Sequence, residues 1–388
     1  MTDSRNDGRN HGVALAPVII AQPRLVHEGG VASFSATVHI GNETKQIWFR
    51  AAQERLVCSS NSLLAATLFP AMCAGRSLQI DAPVSPRLLQ NATAIQRILR
   101  SWDARYREVI VNAAPARTQE FDGGQGVACF FTGGLDSFYT ALKNQSEITH
   151  LVFVHGFDVP LENLDLRARV SQSLREVAAK LQKPLIEIET NLRQLSDRYV
   201  HWELYHGAAL AAVGHLLTGQ LHKIYIAASR SYADIVPLGS HPLLDPLWST
   251  ESVEFIHDGC EATRIEKAAF IAKDDTALKH LRVCWENRDG AYNCGECEKC
   301  LRTMASLRTV GALAACAAFR SPLDLKTLAR LHIEKLHRAH FEANLRVLES
   351  SGSDPELADA LGKCLRRLAR KDVVGRVIQK FRSRLNLA

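Results

Sequence analysis

No apolar run in this chain of 388 residues approaches the roughly 18 that span a bilayer, so no transmembrane helix is expected. The polar start, MTDSRNDGRNHG, lacks the apolar core of a secretory signal. Residues 1–16 are therefore expected to be a disordered tail of a cytoplasmic protein. Net charge is also scarce: +6 is too little by itself to argue for a nucleic-acid or membrane partner. Ten cysteines are too few for a disulfide scaffold at this length, and the tight cluster among them suits a reducing compartment. What is abundant is apolar content, 46%, which implies a globular chain; its length allows two or three domains.

The stretch on which the rest turns is VACFFTGGLDS, Val127 to Ser137. An apolar run, a Gly133-Gly134 break and a helical segment starting at Leu135, Asp136 and Ser137 read as buried strand, tight turn and helix start. Glycine lets a ligand approach the backbone, and the open N–H groups of a helix start attract anions. Thr132 and Ser137 add hydroxyls on either side, so a phosphate or pyrophosphate is the expected guest. The longer Gly-rich loop ending in Lys-Ser or Lys-Thr is missing, which excludes a Walker A site.

Residues 17–119 read as an α+β domain. Phe34, Ala36, Val38 and Ile40 alternate with polar residues, and Gly41-Asn42 turns the chain into KQIWFRA, so a hairpin is expected. Helices follow at Ser62 to Ala74 and Pro86 to Asp103, the second capped by Ser85 with a face of Leu89, Ala92, Ile95, Ile98, Leu99 and Trp102. REVIVNA reads as a closing strand, and Glu120 to Gly126 as a linker. Strands then alternate with helices (THLVFVH, Leu164 to Leu181, LIEIE, Glu203 to Leu217, KIYIAAS), which implies a parallel sheet with ligands beyond its carboxyl edge. His155 and Asp158 fall on that edge, as ligand contacts or as ordinary loop polarity. His201 and His206 could face the same cleft. The long stretch Ser229 to Ser252 is expected to cover it, with Ser231, His241 and Asp245 as substrate contacts. Arg264 and Lys267 stand near the start of the helix TRIEKAAFIA, where cations oppose the dipole unless an anion is bound.

Cys284, Cys294, Cys297 and Cys300 form C-x9-C-x2-C-x2-C. Four thiolates in so short a segment match a structural tetrahedral Zn2+ site, with an iron–sulfur cluster as the alternative.

TGGLDS resembles the SGGxDS signature of the PP-loop ATP pyrophosphatases, with Thr132 in place of serine. Together with the C-terminal cysteines and RIEKAAF, it is similar to the 7-cyano-7-deazaguanine synthase family over about Val127 to Leu307. The first cysteine gap is one residue longer than in that family, and HGFDVPLEN and GSHPLLDPLWSTES do not match it. The resemblance implies an α/β PP-loop domain over 127–310 with ATP, Mg2+ and Zn2+. Thr132, Gly133, Gly134, Leu135, Asp136 and Ser137 would hold phosphates, and His155 and Asp158 would lie near adenosine. Asp136, Ser137 and Lys267 would be catalytic, with Arg264 a further phosphate contact. The implied activity is an AMP- and pyrophosphate-forming ligase that adenylates a small carboxylate or amide for attack by ammonia or an amine.

Residues 311–388 read as a helical extension: TMASLRTVGALAACAAF, then LDLKTLARLHIEKLHRAHFEANLRVLE, then two shorter helices. The last 28 residues hold nine Lys or Arg against Asp372, with Leu365, Leu368, Val373, Val374, Val377, Ile378 and Phe381 as the apolar side of a basic amphipathic pair. That pair is either a solvated surface or a contact for RNA, another anion or an acidic partner. A tRNA-modifying PP-loop enzyme and a non-catalytic nucleotide-binding module therefore remain alternatives.

Overall fold

A computed structural model describes residues 15–52, 56–117 and 124–369. The expected tail, apart from exposed Leu15 and Ala16, most of the expected linker, and the basic pair from residue 370 onward lie outside the described residues.

The chain runs β1 (Val18–Glu28), β2 (Val31–Ile40), β3 (Glu43–Ala52), α1 (Ser60–Ala74), β4 (Leu78–Ile80), α2 (Pro86–Trp102) and β5 (Val111–Asn112). It continues with β6 (Gly126–Phe130), α3 (Leu135–Lys143), β7 (His150–His155), α4 (Leu164–Leu181), β8 (Leu185–Thr190), α5 (Leu192–Ser196), α6 (Trp202–Leu216), β9 (Leu221–Ala227) and β10 (Glu254–Asp258). The last part holds α7 (Arg264–Ile271), α8 (Asp275–His280), α9 (Glu298–Thr309), α10 (Leu325–Arg330), α11 (Arg338–Ser351) and a helix over 355–369.

One ten-stranded, mostly parallel sheet, ordered β10-β9-β6-β7-β8-β3-β2-β1-β4-β5, carries flanking helices. Its half from β10 to β8 is wholly parallel, an arrangement compatible with a Rossmann-like fold. The N-terminal hairpin continues this sheet edge to edge: β3 pairs antiparallel with β8, Phe49 opposite Thr190. The join is clasped by side chains, because Asn191 Oδ1 accepts from Trp48 N at 2.9 Å and Thr190 Oγ1 donates to Trp48 O at 2.7 Å. One apolar core accordingly runs from Phe34 and Phe49 across to Val152, Ile188 and Phe255.

The expected alternation in β2 is present, with Ala32, Phe34, Ala36, Val38 and Ile40 all buried. β6 is buried along its whole length because layers cover it on both faces. Helix α2 has the expected Ser85 cap but buries Leu88 rather than Leu89, which is half-exposed. Of REVIVNA only Val111 and Asn112 pair as a strand.

The C-terminal helices also differ from expectation. α9 ends at Thr309, before Gly311 at φ 73°. The stretch LDLKTLARLHIEKLHRAHFEANLRVLE splits into α10 and α11, since Ile333 is buried between them and the Leu336 carbonyl is taken by Arg230. Tertiary contacts there outweigh a continuous helical preference. None of the described helices is long and apolar enough to cross a membrane.

Candidate anion-binding site and metal centre

In chain order β6 is the first strand of the parallel half, yet it lies between β7 and β9. Successive crossovers therefore leave it in opposite directions and open a crevice beyond its carboxyl end. The glycine turn fills that position. Phe131 anchors its start, packing edge-on against Phe138 at 4.9 Å. Gly133 adopts φ 72°, and its carbonyl accepts from Arg282 N at 2.7 Å. The positive φ favours glycine, and a Cβ there would lie 3.1 Å from Leu174 Cδ2, a contact the leucine would have to yield to. Gly134 is the N-cap of α3 and makes no side-chain cap. Ser137 Oγ donates to Gly134 O at 3.0 Å, and Thr132 Oγ1 accepts from Gly134 N at 3.3 Å. The hydroxyls thus stand beside the first-turn amides of Leu135, Asp136 and Ser137, ahead of the first helical bond from Phe138 N to Gly134 O.

Facing this turn is a concentration of buried cations. Thr263 and Glu266 form a capping box that fixes the start of α7. Arg264 Nη1 then lies 3.3 Å from Asp136 Oδ2, and Lys267 Nζ 3.5 Å from Asp136 Oδ1. Lys267 Nζ also donates to Ala228 O at 2.6 Å, and Arg264 Nη2 to Thr303 Oγ1 at 2.9 Å. Arg302 of α9 and Arg230, just past β9, complete the group; these four side chains belong to residues no more than 6% exposed. Burial pushes the Asp136 carboxyl up, but Lys267, Arg264, Lys299 and Arg302 outweigh it and hold the group below the usual carboxylate range. Arg302, pushed down to about 10 mainly by burial, has Glu298 at 3.3 Å as its ion-pair partner. His337 and His340, from the C-terminal helices, border the same group; burial and the neighbouring arginines lower both, His337 to about 3, so they stay neutral. Charge, depth and amide donors together have the chemistry that suits a polyanion.

The structure thus brings together Thr132, Gly133, Gly134, Leu135, Asp136, Ser137, Arg264 and Lys267. The other expected residues are dispersed. His155 Nε2 lies 3.0 Å from Ser171 Oγ and 3.2 Å from Glu187 Oε2, inside a network between α4 and β8. The Asp158 carbonyl accepts from Asn287 Nδ2 at 3.0 Å. His201 is exposed at the start of α6. His206 is half-buried, its Nδ1 3.3 Å from Trp202 O, and burial lowers its basicity despite Asp245 and Asp158. Ser231 Oγ donates to Asp234 Oδ2 at 3.0 Å. His241 packs on Trp102 at 4.8 Å, and Asp245 is fully buried with Ser240 Oγ at 2.6 Å and His257 Nδ1 at 2.7 Å. These contacts pin the Ser229–Ser252 strap over the ends of β9 and β10. Helix α6 meets it at Gly207, where a Cβ would come 2.1 Å from the Gly239 carbonyl oxygen.

Arg230, Arg282, Lys299 and Arg302 escaped sequence reasoning, since no motif spacing marks them. The only signal was indirect: Lys299 and Arg302 flank Cys300 on a helix that the cysteines start.

The four cysteines converge as expected, their sulfurs all within 4.8 Å of one another. Cys284–Cys297 and Cys294–Cys300 are each 3.9 Å apart. Zn–S bonds of about 2.3 Å in a tetrahedron place sulfurs about 3.8 Å apart, so the donor set fits that ion. Asn287 N and Cys297 N donate to Cys284 Sγ and Cys294 Sγ, each at 3.3 Å, which favours thiolates. The knot is connected to the anion site twice. Cys297 is the N-cap of α9, which carries Lys299, Arg302 and Thr303, and Cys284 lies two residues beyond Arg282, the clamp on Gly133.

Compared with protein-family models, with curated proteins and with solved structures, the chain matches none.

Proposed function

We propose that the protein is an ATP-dependent ligase of the PP-loop type, which forms AMP and pyrophosphate. The observation that carries this reading is the set of buried cations, Arg230, Arg264, Lys267 and Arg302, facing a glycine turn at the sheet's switch point. A triphosphate supplies the missing negative charge. Its terminal phosphates would meet the α3 amides, Thr132 and Ser137, leaving the α phosphate toward Lys267 and Arg264.

In the first step an oxygen of a small carboxylate or amide attacks the α phosphorus. The bond to the bridging oxygen breaks, and pyrophosphate leaves with its charge stabilised by donors already in place. A nitrogen nucleophile then attacks the activated carbon, forming C–N and releasing AMP. Asp136, ion-paired with Lys267 and Arg264, would orient the turn or the Mg2+ brought with the nucleotide, an ion that supplies charge neutralisation. The strap from Ser229 to Ser252 would cover the acceptor and exclude water. The cysteine centre would hold zinc structurally.

The test is product analysis with ATP and a panel of small carboxylates and amides. AMP and pyrophosphate should appear together, and Lys267→Met should slow their release by roughly 10²–10³-fold. ADP and orthophosphate as the sole products would overturn the reading.

A further inference from the structure

The C-terminal helices carry a second cationic surface, remote in kind from the buried group. A groove of about 460 Å³ between α10 and the 355–369 helix is lined by Lys326, Ala329, Arg330, Lys363, Arg366 and Arg367. Among the described residues its only uncharged lining residue is an alanine. All five cations are exposed, while Leu328, Leu361, Cys364 and Leu368 from the same two helices are buried in the apolar core beneath. Packing therefore fixes which face the helices present, and the side chains that line the groove between them are basic.

Little within the chain neutralises it. Lys363 pairs with Asp359 at 2.6 Å, an exposed pair of the kind that contributes little. Asp324 spends its oxygens on Lys326 N and Thr327 Oγ1, at 2.8 and 2.6 Å. Arg330, Arg366 and Arg367 have no ion pair among the described residues. The sequence beyond residue 369 adds Arg370, Lys371, Arg376, Lys380, Arg382 and Arg384 against Asp372, so it supplies no net counter-charge either.

The chemistry of the lining narrows the partner. Protein interfaces centre on apolar or aromatic anchors, and no large apolar or aromatic side chain is among the described residues that line the groove. Insertion into a lipid surface needs exposed large apolar side chains, and among the described residues neither helix has one. Single strands are gripped by aromatic stacking, and among the described residues no aromatic side chain lines the groove. What remains is an extended row of phosphates.

We propose that this groove binds the phosphodiester backbone of a nucleic-acid duplex without reading its sequence. The site does not depend on the ligase reading. Five contacts give a slope of log K against log salt of about −4 to −5, so affinity should fall about 500-fold between 50 and 200 mM salt. The experiment is fluorescence anisotropy of the full chain with a 20-base-pair RNA duplex and a DNA duplex of the same sequence. A single strand and anionic vesicles serve as comparisons. The triple variant Arg330→Glu, Arg366→Glu, Arg367→Glu should flatten the slope by about 3 and weaken duplex binding at least tenfold. Circular dichroism should show it folded, with Ala329→Glu as a single-site substitute if it is not. Binding of either duplex that is lost in these variants establishes the groove, and the RNA and DNA arms say which backbone it prefers. Unchanged binding in a folded variant, or binding only to single strands or vesicles, would overturn the proposal.

Discussion

The pair that pins the strap, His257 and Asp245, makes stability depend on pH in a direction that can be worked out. The His257 side chain is 5% exposed and that of Asp245 0%, with 2.7 Å between Nδ1 and Oδ2. Burial alone would lower the imidazole's basicity, but the hydrogen bonds and charges of Asp245 and Cys260 raise it to about 9, against an ordinary value of 6.5. A folded-state value above the unfolded one means the folded protein holds its proton more tightly. The contribution is therefore complete below pH 6.5 and is lost as pH rises toward 9. A shift of about 2.5 units corresponds to about 3 kcal/mol. Asp245→Asn keeps the shape and removes the charge, leaving a buried imidazolium without its counter-ion. Urea unfolding of wild type and variant at pH 6.0 and 9.5 isolates the pair from other titrating groups. The variant should lose about 3 kcal/mol at pH 6.0 and much less at pH 9.5. An equal loss at the two pH values would mean that the pair is a hydrogen bond and nothing more.

Cys297→Ala should lower zinc content below one equivalent and shift thermal unfolding downward by several degrees, read by metal analysis and calorimetry; full zinc retention would refute the ligand set. Gly133→Ala forces a Cβ into the left-handed region beside Leu174 and should cost about 1–2 kcal/mol, with nucleotide affinity falling alongside in calorimetric titration.

Local signals in the sequence were accurate where one element carries its own information. Helix α4 spans Leu164–Leu181 as expected, because Asn163 caps it and Leu166, Val170, Leu174, Val177 and Leu181 repeat at helical spacing. The glycine turn was legible for the same reason: its residues are contiguous. The continuity of the sheet through β3 and β8 was not, since it is made by Trp48, Thr190 and Asn191, separated by more than a hundred residues. Nor was the break between α10 and α11, which depends on Arg230 reaching the Leu336 carbonyl.

The cation group shows most sharply what contiguity hides. Arg230 follows β9, Arg264 and Lys267 open α7, and Arg302 rides on a helix started by Cys297, so only the folded chain sums their charge. That assembly also gives the cysteine knot a purpose beyond stability. Four like charges held below 7% exposure repel one another, and Asp136, Glu298 and Asp234 offset only part of that repulsion. Something rigid must keep α9 against α7 while the anion is absent. A metal held by the four cysteines at the N-terminus of α9 would do this from one side, and the Arg282 clamp on Gly133 would transmit the same constraint to the turn. Removing the metal should therefore weaken triphosphate binding before it unfolds the sheet. Nucleotide affinity should fall at chelator concentrations that leave the far-ultraviolet circular dichroism unchanged, and simultaneous loss of both would show that the knot supports the fold alone.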